Sequence, residues 1–113
     1  MPSARKRPAV PSDDIFELIG KSDNIREAIS AMQAMAHPLR LKILCLIGKE
    51  EVSVLEIVEA VGTTQSNVSQ HLAVLRARGL LEARKEANKV YYRIGDARVL
   101  RMISLTRQIF CSF

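Results

Sequence analysis

From Ser22 onward the apolar positions change period several times, and each change marks an element. Ile25, Ile29, Met32 and Ala36 recur at four, three and four, the spacing of one helical face. That helix should end near His37, because the residue before Pro38 is pushed out of the helical region. Pro38 suits the first position of a second helix, where no backbone donor is needed. The segment PLRLKILCLIG is apolar nearly all round from Ile43 to Ile47, so this helix should be central and buried, with Gly48 ending it. Ser53 and Glu56 form an S-x-x-E capping box ahead of Ile57, Val58 and Val61. The short helix so begun should stop at Gly62, and another should run from Thr64 to Arg78, with Gly79 as its stop. Two short helices around a glycine-containing turn make a helix-turn-helix candidate.

After Gly79 the period falls to two. In KVYYRI, Val90, Tyr92 and Ile94 alternate with Tyr91 and Arg93, a strand pattern. LLEARKE can pair with it through a turn at Ala87-Asn88. From Asp96 the helical period returns, and Val99, Met102, Ile103, Thr106, Phe110 and Phe113 share one face. Residues 13–20, DDIFELIG, fit a short helical turn, and 1–12, with three prolines and three bases, read as a flexible basic arm. The expected fold is mainly α with a small β-hairpin: a winged helix-turn-helix domain over 13–113.

Composition narrows the function. The chain has 113 residues, 48% apolar and 26% charged, as a single globular domain does. A domain this small leaves much surface to cover, so shared burial with a second chain is expected. Aromatics make up 4% and Trp is absent, which argues against an aromatic-lined cofactor pocket. No apolar run approaches the ~18 residues of a membrane span. The N-terminus has bases but no apolar core after them, so no secretory signal is read and a cytoplasmic protein with reduced thiols is expected. Cys45, Cys111, His37 and His71 match no zinc spacing. No nucleophile–base constellation, phosphate loop or paired carboxylate set is evident. Neither an enzyme nor a cofactor or metal site is expected.

Charge points to an anionic partner. The net charge is +5, and residues 80–113 alone hold seven bases against Glu82, Glu86 and Asp96. A solvated basic face and a nucleic-acid surface both fit that asymmetry. The helix at 64–78 favours the second. With Val68, Leu72 and Leu75 inward at ~100° per residue, the opposite face carries Ser66, Gln70, Ala73 and Ala77, with Ser69 at its edge. No acid lies between Gln65 and Arg78. Small residues let a helix sit deep in the major groove, and Gln can bond adenine through two atoms. Thr64 caps a terminus whose backbone donors suit a phosphate. The expected DNA-contacting set is Thr64, Gln65, Ser66, Asn67, Ser69, Gln70 and His71 from the helix, with Arg84, Lys85 and Lys89 from the hairpin. His71 falls on the margin of the buried face, as a hydrogen-bonding residue at the helix edge within reach of a phosphate.

Three segments taken together are similar to the ArsR-type winged-helix repressors. They are AMAHPLRLKILCLI, TTQSNVSQHLAVLRARGLLEARKEANKVYYRI and a closing amphipathic helix. The likeness runs over about residues 24–113. It implies a homodimer joined by helices 22–36 and 96–113, bound to an inverted-repeat operator in double-stranded DNA and released by an inducer. Two familiar metal motifs of the family are missing. The third helix reads Val54, Leu55, Glu56, Ile57 and Val58 where a Cys-Val-Cys would stand, and Asp96 is followed by Ala97 and Arg98 without the paired His. Cys45 in LKILCLI and Cys111 in RQIFCSF resemble instead the dithiol, sulfur- and redox-sensing branch (the BigR, SqrR and HlyU type). That branch links one cysteine on the second helix to one near the end of the last.

By their own spacing the two thiols stay open between buried apolar residues and a functional pair. The resemblance implies the pair, a switch set by reactive sulfur or oxidant. A direct disulfide needs Cα atoms within ~7 Å, a limit that extra bridging sulfur atoms relax. A metal- or arsenical-responsive repressor, and an architectural DNA-binding protein without inducer, are the competing expectations.

Overall fold

The computed structural model describes residues 22–110. The arm expected over 1–12, the helical turn over 13–20, and Cys111 and Phe113 lie outside them. The chain runs α1 (Ser22–Met35), α2 (Pro38–Ile47), β1 (Val52–Ser53), α3 (Val54–Val61), α4 (Gln65–Ala77), β2 (Glu82–Glu86), β3 (Lys89–Arg93) and α5 (Ala97–Phe110). Among the described residues, no helix is long and apolar enough to cross a membrane.

Each junction has a local cause. His37 is extended, at φ −144° and ψ 131°, as the residue before a proline must be. Its Nδ1 accepts the Leu39 amide at 3.1 Å and so caps α2. The capping box forms as its spacing predicts. Ser53 Oγ accepts from the Glu56 amide at 3.2 Å, and Glu56 Oε1 accepts from the Ser53 amide at 3.1 Å. Gly62 closes α3 in the left-handed region, at φ 74°, a conformation a side chain resists. Two residues later α4 begins, with Thr64 Oγ1 accepting the Asn67 amide at 3.1 Å. Gly79, at φ 81°, turns the chain out of α4, and the Leu80 amide bonds back to the Leu75 carbonyl at 2.9 Å. Asp96 caps α5, its Oδ1 accepting the Arg98 amide at 2.8 Å.

The core gathers around α2. Ile43, Leu44 and Ile47 are fully buried there, packed with Ile57 of α3, Val68, Leu72 and Leu75 of α4, and Ile103 of α5. The nearly all-round apolar character of α2 is thus that of the central helix.

The structure corrects three expectations. The sheet has three strands, in the order β1-β3-β2, all antiparallel. Val52 pairs with Tyr92 and Ser53 with Tyr91. Two residues carry no readable period, so β1 left no signal of its own. Leu80 and Leu81 are not strand: they are buried in the core, and β2 starts at Glu82. The face expected along the last helix also divides. Val99 and Ile103 are buried in this chain's own core, while Met102 is 40% exposed and Phe110 78% exposed.

Candidate DNA interface and thiol site

On α4 the inward line of Val68, Leu72 and Leu75 leaves Gln65, Ser66, Ser69, Gln70, Ala73 and Ala77 exposed. The first turn holds no acid. Asn67 is set apart from this surface: it is half-buried, and its Nδ2 donates to Thr63 Oγ1 at 3.3 Å while its amide donates to Thr64. Thr64 and Asn67 therefore brace the start of the helix, and the open side-chain surface is Gln65, Ser66, Ser69 and Gln70. Gln65 and Lys89 line one cleft of about 210 Å³ between the start of α4 and the β2–β3 wing. The two parts of the expected DNA surface are thereby adjacent.

The three wing bases are not equivalent. Lys85 and Lys89 are exposed. Arg84 makes a two-point contact with Glu51, at 2.6 and 3.0 Å, lies 3.2 Å from Glu86, and stands 4.9 Å over the Tyr91 ring. The Arg84 hydrogen bonds hold the Glu51 carboxyl below the usual carboxylate range. Arg84 thus spends its charge on the protein, and any phosphate must compete with Glu51 for it.

His71 is half-buried at the edge of α4, where the helical wheel puts it. Its Nδ1 lies 3.3 Å from the Arg40 guanidinium, and its ring stands 4.4 Å from that of His37, tilted by 38°. Burial, then the neighbouring His37 and Arg40, push its pKa below the ordinary histidine value. Arg40 in turn donates through Nε to the Ala34 carbonyl at 2.6 Å. Arg78, at the other end of α4, donates to both the carbonyl and the hydroxyl of Ser30, at 3.1 and 3.3 Å. Sequence reasoning missed Arg40 and Arg78. Their partners lie six or more positions away and share no element with them, so no local periodicity announces them.

Cys45 is partly buried and lines an open apolar cleft of about 590 Å³. Leu41, Leu46, Ala60 and Val61 form its walls, and Lys42 and Arg107 bring positive charge to it. Arg107 reaches the cleft from α5, near enough to Gly48 that an added Cβ there would stand 3.0 Å from the guanidinium. The structure thus brings Cys45 beside the last turn of α5, while Cys111 lies outside the described residues. Among those residues, no group of three or more His, Cys, Asp or Glu could hold a metal ion.

The chain matches the model of the bacterial regulatory proteins of the arsR family over residues 37–83, a span that holds α2, α3, α4 and the start of the wing. The transcriptional activator HlyU of Vibrio cholerae is 41% identical over 88 residues, covering 78% of this chain and 82% of that protein. A solved structure of reduced HlyU from V. cholerae N16961 superposes with a TM-score of 0.77 at 40% identity, covering 80% of this chain and 95% of its own. The biofilm growth-associated repressor of Xylella fastidiosa is 31% identical over 86 residues, 76% of this chain and 75% of the repressor. The homodimeric winged helix-turn-helix domain of Mb0332 from Mycobacterium bovis gives a TM-score of 0.73 at 32% identity, covering 79% of this chain and 82% of that one.

Proposed function

The chain belongs to the arsR family of bacterial regulatory proteins, and from that footing we propose that it is a cytoplasmic, homodimeric repressor whose DNA binding is switched by Cys45 and Cys111. In this reading two copies of α4 enter successive major grooves of an inverted-repeat operator. Gln65, Ser66, Ser69 and Gln70 meet base edges, the Thr64 end of the helix meets a phosphate, and Lys85 and Lys89 hold phosphates from the wing. Reactive sulfur species or an oxidant link Cys45 to Cys111 within one chain, and the linked protein lets go of DNA.

The observation that carries the switch is the position of Cys45. A structural thiol in a packed core would be closed off, whereas this one opens on a cleft that Arg107 of α5 also lines. Cys111 follows Arg107 by four positions in the sequence. That one solved relative is described as reduced HlyU is consistent with thiol chemistry in that protein.

The dimer rests on a second surface. Ile25, Ile29 and Met32 line one side of α1 and are 38%, 48% and 57% exposed. Met102, Leu105 and Ile109 form a similar line on α5, at 40%, 54% and 62%. Arg98 and Glu27, 3.7 Å apart, tie the two helices together. Apolar side chains contiguous on two neighbouring helices are the kind of surface a twofold partner covers.

The test is a binding series with the duplex upstream of the protein's own gene. Reduced protein is expected to bind and persulfide-treated protein to release, with an intrachain Cys45–Cys111 link in the mass spectrum. Cys45→Ser and Cys111→Ser are expected to bind whatever the treatment. Release of DNA by either serine variant on treatment, or linkage found only between chains, refutes the switch.

A further inference from the structure

We propose that His37, Arg40 and His71 form a positioning joint for α4 that holds only while the His71 imidazole is neutral, so that mild acid weakens DNA binding independently of the thiols. The inference rests on the reading that α4 docks in DNA.

The geometry assigns the tautomers. His37 Nδ1 accepts the Leu39 amide at 3.1 Å, and that amide can only donate. His71 Nδ1 faces the Arg40 guanidinium at 3.3 Å, and a guanidinium likewise only donates. Each ring must therefore carry its proton on Nε2 and present a bare Nδ1. The one nitrogen on each ring that could accept a further proton is thus the one already bonded to a fixed donor. A proton on His71 Nδ1 drives the imidazole away from Arg40 and adds a cation beside Arg40 and the His37 ring, which stands 4.4 Å from the His71 ring.

The joint sits where it matters for α4. Arg40 is held to the Ala34 carbonyl at the end of α1, so it bridges α1, the start of α2 and the middle of α4. The charged and titratable groups acting on His71 are His37 and Arg40, both of which oppose its protonation. Because His71 titrates below its unfolded value of about 6.5, stability from this joint is complete above that value and is lost as pH falls below it and through the lower folded value. The window lies at the acid edge of the physiological range, where histidine switches work.

The test uses conservative replacements that keep the acceptor and remove the titration. Asn places Oδ1 where histidine has Nδ1, and Asn is a favoured helix cap, so the doubly substituted His37→Asn, His71→Asn protein retains both contacts without a titrating ring. Affinity for the upstream duplex is measured from about pH 7.5 to about pH 5.5 at fixed salt, with Cys45 and Cys111 reduced. Wild type is expected to weaken at least about 5-fold more than the double variant over that range, the low end of ordinary coupling. Nitrogen-15 imidazole spectra of free wild-type protein are expected to show the Nε2–H form for both rings at the upper pH, with protonation of His71 accompanied by loss of its contact with Arg40. Parallel pH profiles for the two proteins, or an Nδ1–H ring at either position, overturn the joint. Failure of both proteins to bind the duplex at the upper pH overturns the docking reading instead, and the imidazole spectra still decide the joint.

Discussion

Met32→Glu provides the sharpest test of the proposed dimer. Met32 is 57% exposed in the single chain, more than Ile25 or Ile29 beside it, so more than half of its surface is available for a partner to cover. Complete burial of such a side chain stabilises by ~1.5–3 kcal/mol, so the share still open is worth about 1 kcal/mol per protomer. A twofold interface counts each change twice, giving about 2 kcal/mol from lost contact. Each carboxylate left without a partner in the interface adds ~1–3 kcal/mol. The low end of the total is about 4 kcal/mol, which raises the dimer dissociation constant roughly a thousandfold. Sedimentation velocity over a dilution series measures that constant directly, with circular dichroism confirming unchanged helix content. Leu55→Glu is the control: Leu55 is 55% exposed at the start of α3, beside the cleft between α4 and the wing, and its variant is expected to stay dimeric. A Met32→Glu protein that dissociates at the wild-type concentration refutes the assignment of α1 to the interface.

Met102→Glu is expected to act in the same way as Met32→Glu. Ile103, its immediate neighbour, is 0% exposed, and Ile103→Ala should instead cost ~2–5 kcal/mol of fold stability, read as a lowered urea midpoint at every protein concentration. On the DNA side, Gln70→Ala should relax base preference and cost ~1–3 kcal/mol on the preferred duplex if its contact uses two atoms. Lys89→Ala should weaken all duplexes alike and reduce the salt slope by about one unit. Specificity lost with Lys89 and kept without Gln70, in a competition against randomised duplexes, would reverse those roles.

Much of the fold was legible because its signals are local. The Ser53–Glu56 box, Pro38 after an extended His37, and the glycines at 62 and 79 each act within a few residues, and the boundaries follow from them. What the sequence hid depends on contacts far along the chain. Strand β1 exists only because Val52 and Ser53 meet β3 some 40 positions later, and Ser53 serves the strand and the helix cap at once. The last helix carries an apolar stripe broad enough for two tasks, and periodicity cannot divide Ile103, which enters the core, from Met102, which stays outside. The wing bases read alike in sequence, yet Glu51, distant in the chain, claims Arg84. Of the thiol pair, only Cys45 falls among the described residues, so their pairing stands on the resemblance and on the position of Arg107.

A link between Cys45 and the end of α5 would act on DNA through α2. That helix is ten residues long, with Cys45 near one end and His37 and Arg40 at the other. Its Ile43, Leu44 and Ile47 are packed without exposure, and close-packed interiors pass a displacement on where a loose one would absorb it. Helix α4 has two polar anchors outside the core, Arg40 on α2 through His71 and Ser30 on α1 through Arg78. A pull on α2 toward α5 would act on the Arg40 anchor directly and on the Ser30 anchor only through α1, so α4 would turn between them. Two recognition helices in a dimer must match grooves one helical turn apart, about 34–36 Å, so a small turn in each subunit spoils both half-sites together. The coupling required is modest, since ~1–3 kcal/mol changes affinity by about 5–150-fold. Release by this route needs neither unfolding nor dissociation. The linked protein is expected to remain dimeric by sedimentation and to keep its helix content, while its affinity falls for full and half operators in unequal degree, the full operator losing more. Linked protein that is monomeric, or that loses full and half operators equally, would place the effect elsewhere than in the spacing of the two α4 helices.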